Sequence, residues 1–430
     1  MNYKLNIKNR PPLIILWCFV FLLYTCSVFA QQGNTITLEQ CYRLGRENYP
    51  LSRERALIEK TKGYNIDNLT KGIYPQLAVN GTGTYQSDVT SIAIPGFYKT
   101  VIPKDQYNLH GEVSQTLSDF GINKQKREIS SIDADLQQEN LETQLFQLKD
   151  RINQLFFGII LIDGQLEQNE LSEKDIQTGI DKVQTAITNG TDFNSSLNKL
   201  KAQLLTVGQH SIDLKASRKA YTDMLGLFIN QNINDNTIFI RPAAPVLTDS
   251  ISRPELNAYD LQVRSYAEQQ RLTSISNYPQ FSAFFQGGIG DPSPVNFLAS
   301  GLSKYYITGF RLNWSISGLY TYKKDKLINK NNQEMTLDQK NTFLFNTTLT
   351  LRQQNADIDR YRKLIQSDDE IIKLRESVKQ TSAVQLQNGV ITANDYLLDI
   401  NAESQARQDR VLHQVQLLMT QYNHKTTSGN

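Results

Sequence analysis

The sequence predicts a mixed α/β chain, mainly α and internally duplicated, with four β-strands and long helical hairpins. Three observations carry the prediction. Tyr74-Pro75-Gln76 recurs as Tyr278-Pro279-Gln280, and Asn189-Gly190 recurs as Asn388-Gly389. An alternating segment ends at Leu117 in the first half and at Ile316 in the second, and 73 residues separate each end from the glycine that follows. A long unit repeated with its internal spacing kept is the mark of duplicated architecture. The expected divisions are a leader at 1–30, a first unit at 31–249 with its hairpin tip near 190, and a second at 250–430 with its tip near 389.

The leader begins with Lys4, Lys8 and Arg10, continues as an unbroken apolar run from Leu13 to Leu23, and ends on Val28-Phe29-Ala30. That order reads as a cleaved secretory signal peptide, with Gln31 as the expected mature start. The apolar run is too short for a spanning helix, which needs roughly 20 residues. An alternative lipid attachment at Cys26 is disfavoured by Tyr24 and Thr25 beside it. After cleavage only Cys41 remains of three cysteines, so no intramolecular disulfide forms and stability must come from burial or assembly. The formal net charge is +2, with no basic run interleaved with aromatics, so nucleic-acid binding has no footprint. No later stretch is apolar enough for a transmembrane helix. Membrane residence would therefore require strands.

The strand expectation rests on period two. Across 76–86, Leu77, Val79 and Tyr85 share one face with Gly81 and Gly83, against Asn80, Thr82, Thr84 and Gln86. Across 107–118, Tyr107, Leu109, Val113 and Leu117 oppose Asn108, His110, Glu112, Ser114, Thr116 and Ser118. The second half expects Phe281, Ala283, Phe285 and Ile289 on one face of 280–290. Over 305–317 it expects Tyr306, Phe310, Leu312, Trp314 and Ile316 against Thr308, Arg311, Asn313 and Ser315. Alternation with a polar second face fits strands with lipid on one side and water on the other. Tyr85, Tyr107, Tyr305, Tyr306 and Trp314 lie near strand ends, where an aromatic girdle is expected. The segments 87–106 and 291–304 would be the longer external loops.

Past Leu117 the period changes to three and four. Residues 122–187 and 195–228, and in the second half 322–386 and 393–425, carry an amphipathic helical pattern far longer than usual. At 1.5 Å per residue, about 65 residues span roughly 100 Å, and such a narrow apolar stripe needs neighbours packed side by side. Asn189-Gly190 and Asn388-Gly389 are the expected fold-back turns, since glycine tolerates positive φ. Shorter helices are expected at 37–72 and 254–276. Pro75 and Pro279 then open the first strand of each half, a position where proline is tolerated. Asp119 and Gly121 mark the strand-to-helix junction of the first half, and Gly318 that of the second. Four strands cannot close a membrane barrel, whose smallest members have about 8, and unpaired edges in lipid cost several kcal/mol per group. The chain is therefore expected to oligomerise with two, three or four copies.

The layout resembles the TolC-like outer-membrane efflux protein family over essentially the whole mature chain. The residues that carry the resemblance are Ile36-Thr37-Leu38-Glu39-Gln40-Cys41, the two Tyr-Pro-Gln entries, Ser118-Asp119-Phe120-Gly121, and the stretch from Asn388-Gly389-Val390 to Tyr396-Leu397-Leu398-Asp399. The resemblance implies a homotrimer with a shared β-barrel in the bacterial outer membrane, continued by an α-helical barrel in the periplasm. It also implies docking of the tips to a periplasmic adaptor (a membrane fusion protein) and an inner-membrane transporter. On that basis Asn189, Gly190, Thr191, Asn388, Gly389 and Val390 are the expected adaptor contacts, and Asp395 and Asp399 the candidate pore carboxylates. Leu398 stands where a second pore-facing acid is expected, so Asp399 lies about 100° further round the helix and is expected toward a neighbouring helix. Copy one has Ser196 where copy two has Asp395, so one hairpin per chain is expected to offer this carboxylate.

No catalytic chemistry is visible. His110, His210, His413 and His424 are scattered without metal-ligand spacing, and phosphate loops and nucleophile motifs are absent. The chain is expected to be no enzyme and to need no cofactor or metal. The leading expectation is a passive exit duct for small molecules or drugs; its closest rival is a duct for secreted polypeptides. A periplasmic adaptor would need a single hairpin with soluble β domains, and a soluble coiled coil would lack lipid-compatible strands.

Overall fold

The computed structural model describes residues 35–89, 91–92, 100–296 and 301–430. The expected signal peptide, Cys26 and parts of both expected external loops lie outside the described residues. The chain is mainly helical with some sheet, and two compact units form from interleaved stretches. No helix among the described residues is long and apolar enough to cross a membrane.

One unit comprises Pro50–Gln147, Thr248–Gln353 and Thr427–Asn430. It contains α2 (Glu54–Lys71), β2 (Gln76–Tyr85), β3 (Ser91–Ile92), β4 (Thr100–Val101), β5 (Asp105–Ser118), α3 (Ile122–Phe146), α6 (Pro254–Ile275), β7 (Gln280–Asp291) and β8 (Ser303–Asn313). Its four-stranded antiparallel sheet has the order β2-β5-β7-β8, and β3 pairs with β4. The register aligns Leu77 with Val113 and Phe285, and Gly81 with Leu109 and Ile289, so the apolar alternation of four segments lands on one face. That face is exposed: Leu77 and Val79 are each 78% accessible, and Phe310 is 82%. The opposite face carries Asn108, His110, Glu112, Gln286 and Arg311, with Glu112 held by Arg311 (2.9 Å) and Gln286 (2.6 Å).

One expected placement is corrected by this register. Thr308 pairs with Phe285 and so shares the apolar face with Tyr306 and Phe310, its hydroxyl donating to the Phe284 carbonyl. Tyr305 lies on the polar face, where its hydroxyl donates to Asn108 Oδ1 at 2.8 Å. The last strand also stops at Asn313, short of the expected 317. Trp314 leaves the ladder to donate its indole N–H to the Asn277 carbonyl at 3.0 Å, and tight turns through Ser315–Ser317 start the next helix.

The other unit comprises residues up to Tyr49, Leu148–Leu247 and Gln354–Thr426. It holds β1 (Thr35–Ile36), α1 (Leu38–Asn48), α4 (Leu148–Thr188), α5 (Asn194–Ile229) and β6 (Ile238–Phe239). Helix α7 (Gly318–Gln387) contributes its second part, and α8 (Ala393–Ser428) nearly all of its length. Thr37 starts α1 with a capping box, bonding Gln40 in both directions. The expected helix 37–72 is interrupted at Tyr49-Pro50, because the residue before proline is pushed to extended backbone and proline supplies no amide. A single residue, Gln147, interrupts the long helix of the first half. Periodicity did not reveal β1 and β6, two-residue strands that pair in parallel across about 200 positions.

A core of Leu38, Cys41, Ile152, Phe156, Phe157, Leu225, Ile229, Val415 and Tyr422 ties α1, α4, α5 and α8 together. Full burial of each large apolar side chain stabilises by about 1.5–3 kcal/mol. Gly45 packs closely there: a Cβ would stand 2.8 Å from the Ile152 terminal methyl, which would have to shift. Burial pushes the Cys41 thiol up to about 12, so this cysteine stays protonated and unreactive.

Candidate functional site at the helical hairpin turns

Both hairpin turns lie in the second unit described above, and both end their first helix alike. Helix α4 closes with Gly190 at φ +75°; Gly190 N–H donates to the Ile187 carbonyl and Thr191 N–H to that of Ala186, each at 2.9 Å. Helix α7 closes with Gly389 at φ +69°; Gly389 N–H donates to Leu386 (3.1 Å) and Val390 N–H to Gln385 (2.9 Å). These are Schellman motifs, in which a left-handed glycine lets two amides satisfy the orphan carbonyls of the last turn. Open space surrounds both glycines, and Asn189, Thr191, Asn388 and Val390 are exposed.

The return helices begin differently. In the second hairpin Thr392 is the cap residue. Its Oγ1 accepts from Asp395 N–H (3.3 Å), while Asp395 Oδ2 accepts from both the Thr392 amide (3.0 Å) and hydroxyl (2.7 Å). This reciprocal box holds the Asp395 carboxyl below the usual carboxylate range, the Thr392 hydroxyl being the larger cause and its amide the next. In the first hairpin the cap residue is Phe193, which makes no side-chain cap. Asp192, one residue earlier, accepts from Phe193 N–H (2.6 Å) and from Ser196 Oγ (2.7 Å). Asp192 and Asp395 thus stand at the two turns but not at equivalent positions, since Ser196 occupies the place of Asp395.

The hairpins meet through buried side chains. Ile176, Ile180 and Val183 of α4, Leu197 and Leu200 of α5, Leu386 of α7, and Tyr396, Leu397 and Ile400 of α8 form one cluster. Gly179 permits the close approach, because a Cβ there would stand 2.8 Å from the Tyr396 ring. Asp399 turns inward and accepts from Ser382 Oγ across the second hairpin, whereas Leu398 is exposed. Lys379 on α7 donates to Asp175 on α4 (2.7 Å) and to Glu403 on α8 (3.3 Å); Glu403 is buried and also holds Arg407. Lys182 donates to the Ala383 carbonyl at 3.1 Å. Sequence reasoning missed these links, because each charge lies on a helix face that reads as solvated until the partner helix is placed.

The strand–helix junctions belong to the sheet unit. Asp119 accepts from the amides of Gly121 (2.9 Å) and Asn123 (2.8 Å) and so caps α3, with Phe120 and Gly121 both at positive φ. Gly318 leaves room for the Asn277 side chain: a Cβ there would stand 2.5 Å from Asn277 Oδ1, which would have to turn away. Pro75 and Pro279 immediately precede β2 and β7. Among the described residues, His, Cys, Asp and Glu side chains nowhere gather in threes as metal ligands would.

No protein-family model and no curated protein matches this chain by sequence. Solved structures do match its fold. CusC, described for the conformational changes of its folding and transmembrane channel formation, superposes with a TM-score of 0.68 at 13% identity, over 94% of this chain and 96% of its own. The outer membrane protein VceC of Vibrio cholerae gives 0.68 at 12% identity, over 91% and 96%. The open state of the MtrE outer membrane channel of Neisseria gonorrhoeae gives 0.67 at 15%, over 91% and 89%. The fold of this chain is that of the outer-membrane efflux channels of the TolC type.

Proposed function

We propose that this chain is the outer-membrane channel of a tripartite system, passing small molecules or drugs from an inner-membrane pump and periplasmic adaptor to the exterior. One observation carries this reading. The four-stranded sheet exposes an apolar face, keeps a polar one, and leaves an edge of β2 and an edge of β8 without a strand partner among the described residues. Such edges are tolerated in lipid only when closed into a barrel. Three copies joining β8 of one to β2 of the next would make a twelve-stranded barrel, an even number within the usual range. Residues 1–30 act as the export signal, and the halves 31–249 and 250–430 are copies of one unit.

The helical hairpins extend into the periplasm, where Asn189, Gly190, Thr191, Asn388, Gly389 and Val390 meet the adaptor. Three copies of Asp395 ring the constriction and attract cations, while Asp399 is spent on Ser382. Passage is passive. Opening requires the links of Lys379 and Lys182 between the hairpins to rearrange. A duct for secreted polypeptides would use the same geometry and differ in its transporter.

Two measurements test the reading. Purified protein added to planar bilayers should give stepwise current whose cation block weakens in Asp395→Ala; a protein that stays soluble without detergent and carries no current would sink it. A photo-crosslinker at position 390 should capture a periplasmic adaptor in cells. The transporter found with that adaptor then separates efflux from secretion.

A further inference from the structure

We infer that the strand–helix junctions form a collar that binds phospholipid headgroup phosphates, with preference for net-anionic headgroups, in the leaflet on the helical side of the sheet. The inference rests on the barrel reading above. Where the strands meet their helices, five aromatic side chains stand exposed: Tyr74, Phe120, Tyr278, Trp314 and Tyr320, the last 84% accessible. They are held, not loose. Phe120 meets Tyr278 edge-on at 5.7 Å, and the Trp314 indole donates to the Asn277 carbonyl. Rings of this kind, amphipathic or flat, favour the boundary between hydrocarbon and headgroup.

Just beyond the rings come lysines. Lys124 and Lys126 lie in the first two turns of α3, and Lys323 and Lys324 in the second turn of α7. All four are exposed, and none has an ion-pair partner among the described residues. Nearby lysines are neutralised within the chain: Lys71 bonds Asp67 at 2.7 Å, and Lys330 approaches Glu334 at 3.5 Å. Asp119, the acid of the first junction, has both oxygens taken by backbone amides. Neither helix has an acid in its first turn, and Asp325 is the sole acid between 318 and 333. Two exposed basic pairs therefore follow the strand–helix junctions, one in each half. In the barrel reading the exposed apolar face of the sheet meets hydrocarbon and ends at these junctions, so the occupant at the lysines is a lipid headgroup. A zwitterionic headgroup brings an ammonium that the lysines repel, whereas phosphatidylglycerol brings only the phosphate charge.

The test uses the full protein reconstituted in vesicles of equimolar phosphatidylglycerol and phosphatidylcholine, extracted and examined by native mass spectrometry for retained lipid. Phosphatidylglycerol should be enriched at least about fivefold, and K124Q/K126Q/K323Q/K324Q should bring the ratio close to unity, as should 0.5 M salt before extraction, which shortens the Debye length to about 4 Å. Lys201→Gln with Lys215→Gln, exposed lysines of α5, should leave the enrichment intact. Equal retention of both lipids by the natural chain, or an equal loss in the α5 variant, overturns the collar. Protein that conducts current without lipid preference sinks the collar alone; protein that never enters the vesicles sinks the duct reading with it.

Discussion

At Gly190 and at Gly389 the chain reverses with the same left-handed glycine and the same two backbone bonds, yet the side chains around the two turns differ in kind. In the first hairpin the buried positions are Val183 and Leu200, both within the shared apolar cluster. The same positions in the second hairpin, 199 residues later, are Ser382 and Asp399, joined by a hydrogen bond. The first return helix starts from Asp192 and Ser196, the second from a Thr392–Asp395 box. Backbone geometry at a tight reversal admits few solutions and is kept. Side-chain pairing admits many, as long as each buried polar group finds a partner. At this pair of positions the second hairpin is thus held by a directional bond that a rotation breaks, the first by packing that rotation only loosens.

The largest test moves the polar pair into the apolar hairpin. Leu200→Asp would bury a carboxylate with no partner and should cost about 3–5 kcal/mol, seen as a lower unfolding temperature. Adding Val183→Ser should recover part of that loss, because the partner is restored. The reverse exchange, Ser382→Val with Asp399→Leu, should be nearly neutral in stability, since replacing both members of a bonded pair leaves nothing unsatisfied. A strong destabilisation there would show that the polar pair does more than fill its position.

Next in size are the glycines. Gly190→Ala and Gly389→Ala should each destabilise by about 1–2 kcal/mol, the left-handed penalty for an L-residue. Hydrogen exchange at 185–191 and 384–390 should quicken equally, and an unequal response would break the equivalence of the turns.

Thr392→Ala should cost about 1 kcal/mol, with no counterpart at Phe193, which makes no side-chain cap. The smallest effect is in pH. The folded Asp395 carboxyl is held below its unfolded value, so its contribution is complete above the ordinary carboxylate range and is lost as pH falls through the folded value. Exchange of the amides at 392–395 should accelerate only at such acid pH, and Asp395→Asn should abolish that dependence.

Much of this was legible in the chain itself. Alternation in 76–86 and 107–118 identified the faces of β2 and β5, because a strand's period of two is a property of its own backbone. Asn-Gly located both turns, because positive φ is a local demand. Tyr49-Pro50 was a local signal as well, since the residue before a proline is pushed to extended backbone. Thr308 was misplaced although its parity places it with Tyr306 and Phe310.

Tertiary structure decided the rest. Asp399 finds Ser382, Lys379 finds Asp175 and Glu403, and Gly318 makes room for Asn277 only because separate segments are brought side by side. Thr35–Ile36 is a strand only because Ile238–Phe239 lies against it. Periodicity sets which way a side chain leaves its own helix or strand. What it meets there depends on residues tens to hundreds of positions away, whose approach is governed by packing of the whole unit.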